Sequence, residues 1–437
     1  MNGPRQLYEF MKSASIAHAQ WELEVSTSVF KSRKKLLILL VLCAPVLLVS
    51  LLNAATMLGG KEAYAPAFCT QSVLFMSIVV GVIAGLITGC IGAGGGFIVT
   101  PALMAVGVKG ILAVGTDLFH IFAKAIMGTT VHKKLGNVSL KLAVVFTIGS
   151  AIGVFVGGKA NRAIYDINPV LSNAFISLVY ALLLGFLGFY ALYDFLKNVR
   201  GSQTTKIDAH GGGYAGTTGL AMKVQNINIP PMIRFDEDFV PGGKKISWTM
   251  ITAGGAVVGM LAAIMGVGGG FATFPMFVYV FGVSSMTTVG TDILQIIFTA
   301  GLASITQYAI YGFIFYSLAM GLLIGSLVGI QLGALVTKVV KGIHIRGFYA
   351  TVILAGFFNR ASTLPAKMTQ LGVADFPKSV TGAIEVGGNI LFWAATGFFG
   401  LWLFAKFITN LKELRQVPDT GEVSVGSVPK IQKRTTG

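Results

Sequence analysis

The chain has 437 residues, of which 54% are hydrophobic and only 11% charged. Soluble domains carry about 25% charged residues, so this composition excludes an ordinary soluble fold and points to an integral membrane protein. The formal net charge of +16 does not imply nucleic-acid binding: the basic residues gather at the ends of apolar runs, as in Lys31-Ser32-Arg33-Lys34-Lys35 and Lys133-Lys134, which is the positive-inside pattern of cytoplasmic loops.

In chain order, residues 1–35 read as a cytoplasmic head. The apolar run that follows has no small-residue cleavage pattern behind it, which predicts an uncleaved transmembrane helix over 36–57. Spans at 73–91, 111–131, 138–157 and 172–196, with a glycine-rich stretch at 92–108, form a transmembrane repeat over 73–200. Residues 201–246 are polar and hold Gly211-Gly212-Gly213, Pro230-Pro231 and Asp236-Glu237. They read as a cytoplasmic connector, with His210 a solvated loop residue. Spans at 248–265, 287–310, 315–336 and 347–358, with a second glycine-rich stretch at 266–283, form a second repeat. A final helix at 381–407 completes the unit over 247–408, and 409–437 is a polar, disordered cytoplasmic tail. Long apolar runs between short turns fit helices rather than a barrel. The expected fold is all-α and polytopic, with about 10 (roughly 8 to 12) transmembrane helices in two homologous repeats. Cys43, Cys69 and Cys90 make no CxxC pair and read as small packing residues, and no metal or cofactor is expected.

Self-similarity carries the two-repeat reading. Gly92-Ala93-Gly94-Gly95-Gly96-Phe97 is followed by Pro101, and Gly266-Val267-Gly268-Gly269-Gly270-Phe271 by Pro275. In the same alignment Gly115-Thr116-Asp117 falls on Gly290-Thr291-Asp292, and Gly149-Ser150 falls on Gly325-Ser326. The turn after the third span carries Lys133-Lys134 in the first repeat, while Tyr311-Gly312-Phe313 in the second is uncharged. Lys338, Lys341 and Arg346 instead follow the fourth span of the second repeat. Opposite basicity at matching turns predicts inverted repeats, with parallel repeats as the alternative. Each glycine stretch is short for a crossing, so it is a broken helix or a re-entrant hairpin.

Interrupted helices are tolerated in a bilayer only where protein or a cavity satisfies the freed backbone groups, and paired breaks point to a substrate site. Gly92, Gly94, Gly95, Gly96, Thr100 and Pro101 are candidates in the first repeat. Thr100-Pro101 reads as a capped half-helix start, whose free amides would suit an anion. The counterparts are Gly266, Gly268, Gly269, Gly270 and Pro275, with Phe274 at the cap position. The alternative is that the glycines only permit close helix packing. After each break runs a polar stripe. Asp117, His120 and Lys124 share one helical face, and Asp292, Gln295 and Thr299 match them. Lys124, His120 and Gln295 join the substrate candidates. Asp117 and Asp292, with Thr116 and Thr291 before them, are coupling-ion candidates, with helix capping as an equal alternative. His120 could carry a coupled proton. His132 reads as interfacial, and Glu385 and Asn389 share a face of the last span.

These paired segments, each followed by Gly-Thr-Asp, resemble the TauE/SafE sulfite exporter family, across about 73–158 and 248–405. The resemblance implies a polytopic inner-membrane carrier of small sulfur-containing anions such as sulfite, sulfoacetate or other organosulfonates. The expected function is secondary transport by alternating access, coupled to protons or ions, with both termini cytoplasmic. The expected partners are the lipid bilayer and a small anionic substrate, with a homo-oligomer left open. The alternative is a membrane assembly or sensing protein that docks a partner through 201–246. An enzyme is not expected, since HExxH, GxSxG and metal-spaced histidines are absent from the sequence.

Overall fold

The structure, a computed structural model, describes residues 71–91, 95–132, 139–200, 219–235, 243–336, 340 and 342–409. The expected head, first helix and tail lie outside these residues, as do Gly92, Gly94, Lys133-Lys134, His210 and Asp236-Glu237.

The first half comprises α1 (Gln71–Ile91), α2 (Gly96–Ala105), α3 (Gly110–His132), α4 (Leu140–Ile167) and α5 (Pro169–Arg200). Asn168 caps α5 by accepting from the Val170 amide at 2.7 Å, and Pro169 occupies the first helical position, where its missing N–H costs nothing. The connector contributes α6 (Gly219–Gln225) and an antiparallel pair, β1 (Met232–Phe235) with β2 (Lys244–Ser247), in which Met232 faces Ser247. The second half comprises α7 (Trp248–Met265), α8 (Gly270–Pro275) running into the π-helical turn π1 (Met276–Phe281), and α9 (Ser285–Leu302) running into π2 (Ala303–Ala309). It continues with α10 (Tyr316–Val336), α11 (Gly342–Ser362) and the short α12 (Leu364–Gln370), and α13 (Lys378–Thr409) closes it.

Among the described residues, four segments are long and apolar enough to cross a membrane: Leu140–Ile167, Pro169–Tyr193, Trp248–Met265 and Lys378–Thr409. The helix expected to end at 157 continues to Ile167 and carries Arg162 inside it. Arg162 Nη1 donates to both the backbone and side-chain oxygens of Gln307 at 2.7 Å, and Arg162 Cζ lies 4.0 Å from the Tyr311 ring centre. The cation thus serves a π-helical carbonyl, where the i→i−4 ladder is interrupted.

The two halves interlock through their first and fourth helices. α1 packs against α10, and α7 packs against α4. Both seams are made of glycine. A Cβ on Gly85 would overlap the Ser326 carbonyl oxygen, and one on Gly153 would overlap that of Ala256. Small residues let the two backbones approach until dispersion between main chains takes the place of side-chain packing. Along the first seam Ser77 meets Gly321 and Leu86 meets Gly329; along the second Gly149 meets Thr252 and Gly157 meets Met260. Within each pair, therefore, the helices run in the same direction.

Each break folds the chain back. Gly95 lies against the Ala84 carbonyl and the Thr88 side chain, about one to two turns back from the end of α1. In the second half Gly254 of α7 lies against Phe281 of π1. Lys244 Nζ then donates to the Gly282 carbonyl at 2.8 Å, which returns the chain to the end where α7 began. The described chain on either side of each glycine stretch therefore doubles back as a hairpin. The described part of the connector braces this end: Gln225 donates to the Phe281 carbonyl at 2.7 Å. Phe235 and Ile246 are buried with Phe146, Phe277 and Phe281.

Candidate functional site where the two breaks meet

The hairpin tips touch. Phe97 and Phe271, the residues that end the two glycine clusters, stack with ring centres 5.0 Å apart. Gly96 lies beside Val267, and Gly268 beside Ile121 of α3. Gly266 has φ of +81° and sits so close to α3 that a Cβ would come within 2.8 Å of the Val114 Cα. Both the left-handed backbone and the contact demand glycine there.

Ending α7 at Met265 frees its last carbonyls, and side chains from both halves satisfy them. Tyr308 of π2 donates to the Ala263 carbonyl. Asn161 of α4 reaches that of Ile264 at 3.5 Å, and Tyr180 of α5 donates to that of Met265 at 2.5 Å. These three residues were missed as site residues from sequence. The available signal was a lone polar group inside each apolar helix, which in a bilayer requires a partner.

Beside each tip lies a buried acid with a helper three residues on. In the first half Asp117 Oδ2 accepts from Thr100 at 3.1 Å, and its Oδ1 lies 3.3 Å from His120 Nδ1. His120 Nε2 reaches 3.0 Å to Ser326 on α10 of the other half. In the second half Gln295 donates to Asp292 at 2.8 Å and to Thr273 at 2.9 Å, and accepts from Thr299 at 2.7 Å. Thr299 pairs at 2.8 Å with Ser150 on α4 of the other half. The alignment equates Ser150 with Ser326, so both networks end on the matching serine across the halves.

Several expectations are corrected. Thr100 does not cap a helix start and Pro101 is not in the first turn. α2 begins at Gly96 after Gly95, leaving Pro101 inside the helix and Thr100 free to serve Asp117. In the second half Gly269 precedes α8, and Pro275 ends it at the switch to π1. Proline cannot donate to the ladder, and the wider turn follows from it. Capping by the two aspartates is excluded, because Asp117 and Asp292 sit well inside α3 and α9, and Ser284 caps α9 instead. Thr116 and Thr291 are engaged elsewhere. Thr116 accepts from the Phe315 amide just before α10, and Thr291 from the Ser139 amide just before α4, each at 3.0 Å.

Lys124, one turn beyond His120, donates to Thr88 at 3.3 Å and forms no ion pair among the described residues. Gly270 approaches Asp292 and Gly269 approaches Gln295, each at 3.5 Å from the position of a Cβ. Of the described candidates, Gly95 and Lys124, with Thr88, lie on one flank of the breaks, and Gly269, Gln295 and Asp292 on the other. An apolar pocket lined by Leu183, Leu261, Met265, Val267 and Phe271 adjoins the second tip. Among the described residues no cluster of His, Cys, Asp and Glu is placed to hold a metal ion.

The model of the family described as "Sulfite exporter TauE/SafE" matches residues 77–359. A probable membrane transporter protein, YjnA, of Bacillus subtilis (strain 168) is 24% identical over 258 residues, covering 59% of this chain and 87% of its own. A probable membrane transporter protein of Xylella fastidiosa (strain 9a5c) is 24% identical over 264 residues, covering 60% and 84%. A probable membrane transporter protein, MJ0441, of Methanocaldococcus jannaschii is 35% identical over 89 residues, covering 18% and 33%. No solved structure matches the chain.

Proposed function

The chain belongs to the sulfite exporter TauE/SafE family, and from that membership we propose that it is a secondary transporter of a small sulfur-containing anion: sulfite, sulfoacetate or another organosulfonate. The observation that carries this reading is the meeting of two hairpin tips, one from each half, with a buried acid network beside each. A site shared by two interlocked halves can open to either side when one half rocks against the other. Among the described residues Lys124 supplies a positive charge with no carboxylate in an ion pair with it, and the first amides of α2 supply donors. Both favour an oxyanion.

The packing supports inverted repeats. α1 starts beside the start of α10, and α7 starts beside the start of α4. α4 and α10 hold equivalent places in the two halves. By the positive-inside reading of the loop charges those two starts would lie on opposite sides of the membrane; the proposed location is the inner membrane, with both termini cytoplasmic. Coupling would run through Asp117 and His120, which can exchange a proton, whereas the partners of Asp292 among the described residues are neutral amide and hydroxyl groups. Each network ends on a serine of the opposite half, so protonation on one half alters a contact with the other.

The docking reading through 201–246 is less well supported. The described part of this segment is packed onto the second hairpin by Gln225, Lys244, Phe235 and Ile246, as a brace is. The experiment is uptake of labelled sulfite and sulfoacetate into liposomes holding the oriented full chain. Saturable anion flux is expected. Cation flux without anion flux from folded protein would overturn the reading.

A further inference from the structure

Arg360 heads the fully buried side chains by volume and is 1% exposed, yet the site at the breaks does not use it. It sits in the last turn of α11. Its Nε donates to the side-chain oxygen of the adjacent Asn359 at 2.8 Å, and Nη2 donates to the same atom. Asn359 in turn donates to Asn389 of α13 at 2.6 Å. Among the described residues no carboxylate pairs with Arg360; Glu385 of α13 is the acid near enough to act on it. Lys367 of α12 brings a second cation to the same group.

The surroundings are built rather than incidental. Gly388 of α13 lies against Ser362, where a Cβ would overlap the hydroxyl, so α13 is held hard against the end of α11. Thr363 reaches Ser177 of α5 at 3.5 Å, closing the third wall. Tyr180, one turn further along α5, is near enough to both Arg360 and Thr100 to be acted on by each, and its hydroxyl holds the Met265 carbonyl at the second tip. A buried guanidinium with its fork spent on one neutral amide is short of counter-charge. A planar fork of donors matches two oxygens of an oxyanion.

We infer that Arg360, Lys367, Asn359 and Asn389 form a second anion station, where a free sulfur oxyanion is held between one end of the bundle and the site at the breaks. Its ligand class rests on the transport reading; its geometry does not. Arg360 grips the oxyanion, Lys367 attracts it at the half-buried mouth, and the Asn389–Asn359 pair holds the guanidinium in place. Tyr180 adjoins both this station and the Thr100 end of the first network, which links the two anion sites. The phosphate of an anionic lipid has the same oxygen chemistry, and the test separates the two.

The purified full chain is titrated in lipid-free detergent with sodium sulfite against matched sodium chloride, following the unfolding temperature. Sulfite flux into liposomes is measured in parallel. Arg360→Gln is expected to raise the flux KM about tenfold, and Arg360→Lys and Lys367→Gln about threefold, with the maximal rate nearly held. The sulfite-dependent stabilisation should weaken in the same order. If Arg360→Gln does not fold, Lys367→Gln and Asn389→Ala carry the test, because both positions are partly exposed. Wild-type KM and wild-type stabilisation in the folded variants would overturn the station. Stabilisation by phosphatidylglycerol but not by sulfite would overturn it in favour of a lipid site. If the intact protein carries no sulfur oxyanion, the transport reading fails by itself, and the detergent titration still decides whether Arg360 holds one.

Discussion

The two acid networks share a plan and differ in chemistry. Each has an aspartate inside the helix that follows a hairpin tip, a partner three residues later, and a terminal serine on the opposite half. In the first half the partner is His120, with Lys124 one turn on; in the second it is Gln295, with Thr299 one turn on. The first half surrounds its aspartate with an imidazole and an ammonium, the second with amide and hydroxyl groups. On the proposed reading, proton handling belongs to the first half and fixed hydrogen bonding to the second.

The largest expected effect tests that division directly. Asp117→Asn should lower flux about 100-fold, while Asp292→Asn, which keeps an amide's hydrogen bonds to Gln295 and Thr273, should lower it about 10-fold or less. Equal losses in proteoliposome flux would erase the distinction between the halves. Next in size is Lys124→Gln, which should raise KM for sulfite about 10-fold with folding intact. An unchanged KM would remove Lys124 from the site and leave the two stripes functionally alike.

The smallest effect concerns pH outside the spans. Burial first, and then the neighbouring Arg360, lower the Lys367 ammonium from its ordinary value to about 8, with Glu385 of α13 opposing them. A depressed lysine is charged below that value and neutral above it. Anion affinity should therefore fall a few-fold as pH rises from about 7 to 9. Arg360 from α11 and Glu385 from α13 are the charged groups acting on it. In Lys367→Gln this part of the pH profile should be flat; an unaltered profile would assign the effect to the first network instead.

Much of this arrangement was legible because bilayers forbid unsatisfied backbone. The α7 span was read to both its ends, since apolar length and the following glycines mark it sharply. The glycine repeats are legible from self-similarity, and the acid stripes from helical spacing inside apolar segments. What escaped was mostly long-range. The cap read at Thr100-Pro101 follows from local statistics, but the helix had already started at the glycines, and the threonine's partner is Asp117 in the next helix. Tyr180, Asn161 and Tyr308 carry no motif; their role exists only because the fold brings them to the carbonyls at the end of α7. Arg360 was similarly hidden, since a cation near a helix end reads as an interfacial residue until burial is known.

The central claim is that the two hairpin tips form one moving site, and a cross-link between them tests it most directly. With Cys43, Cys69 and Cys90 replaced by serine, Phe97→Cys and Phe271→Cys are joined by a short bifunctional thiol reagent, and sulfite flux is measured before and after its reduction. Loss of flux on cross-linking and recovery on reduction are predicted. Undiminished flux through quantitatively cross-linked protein would contradict the account.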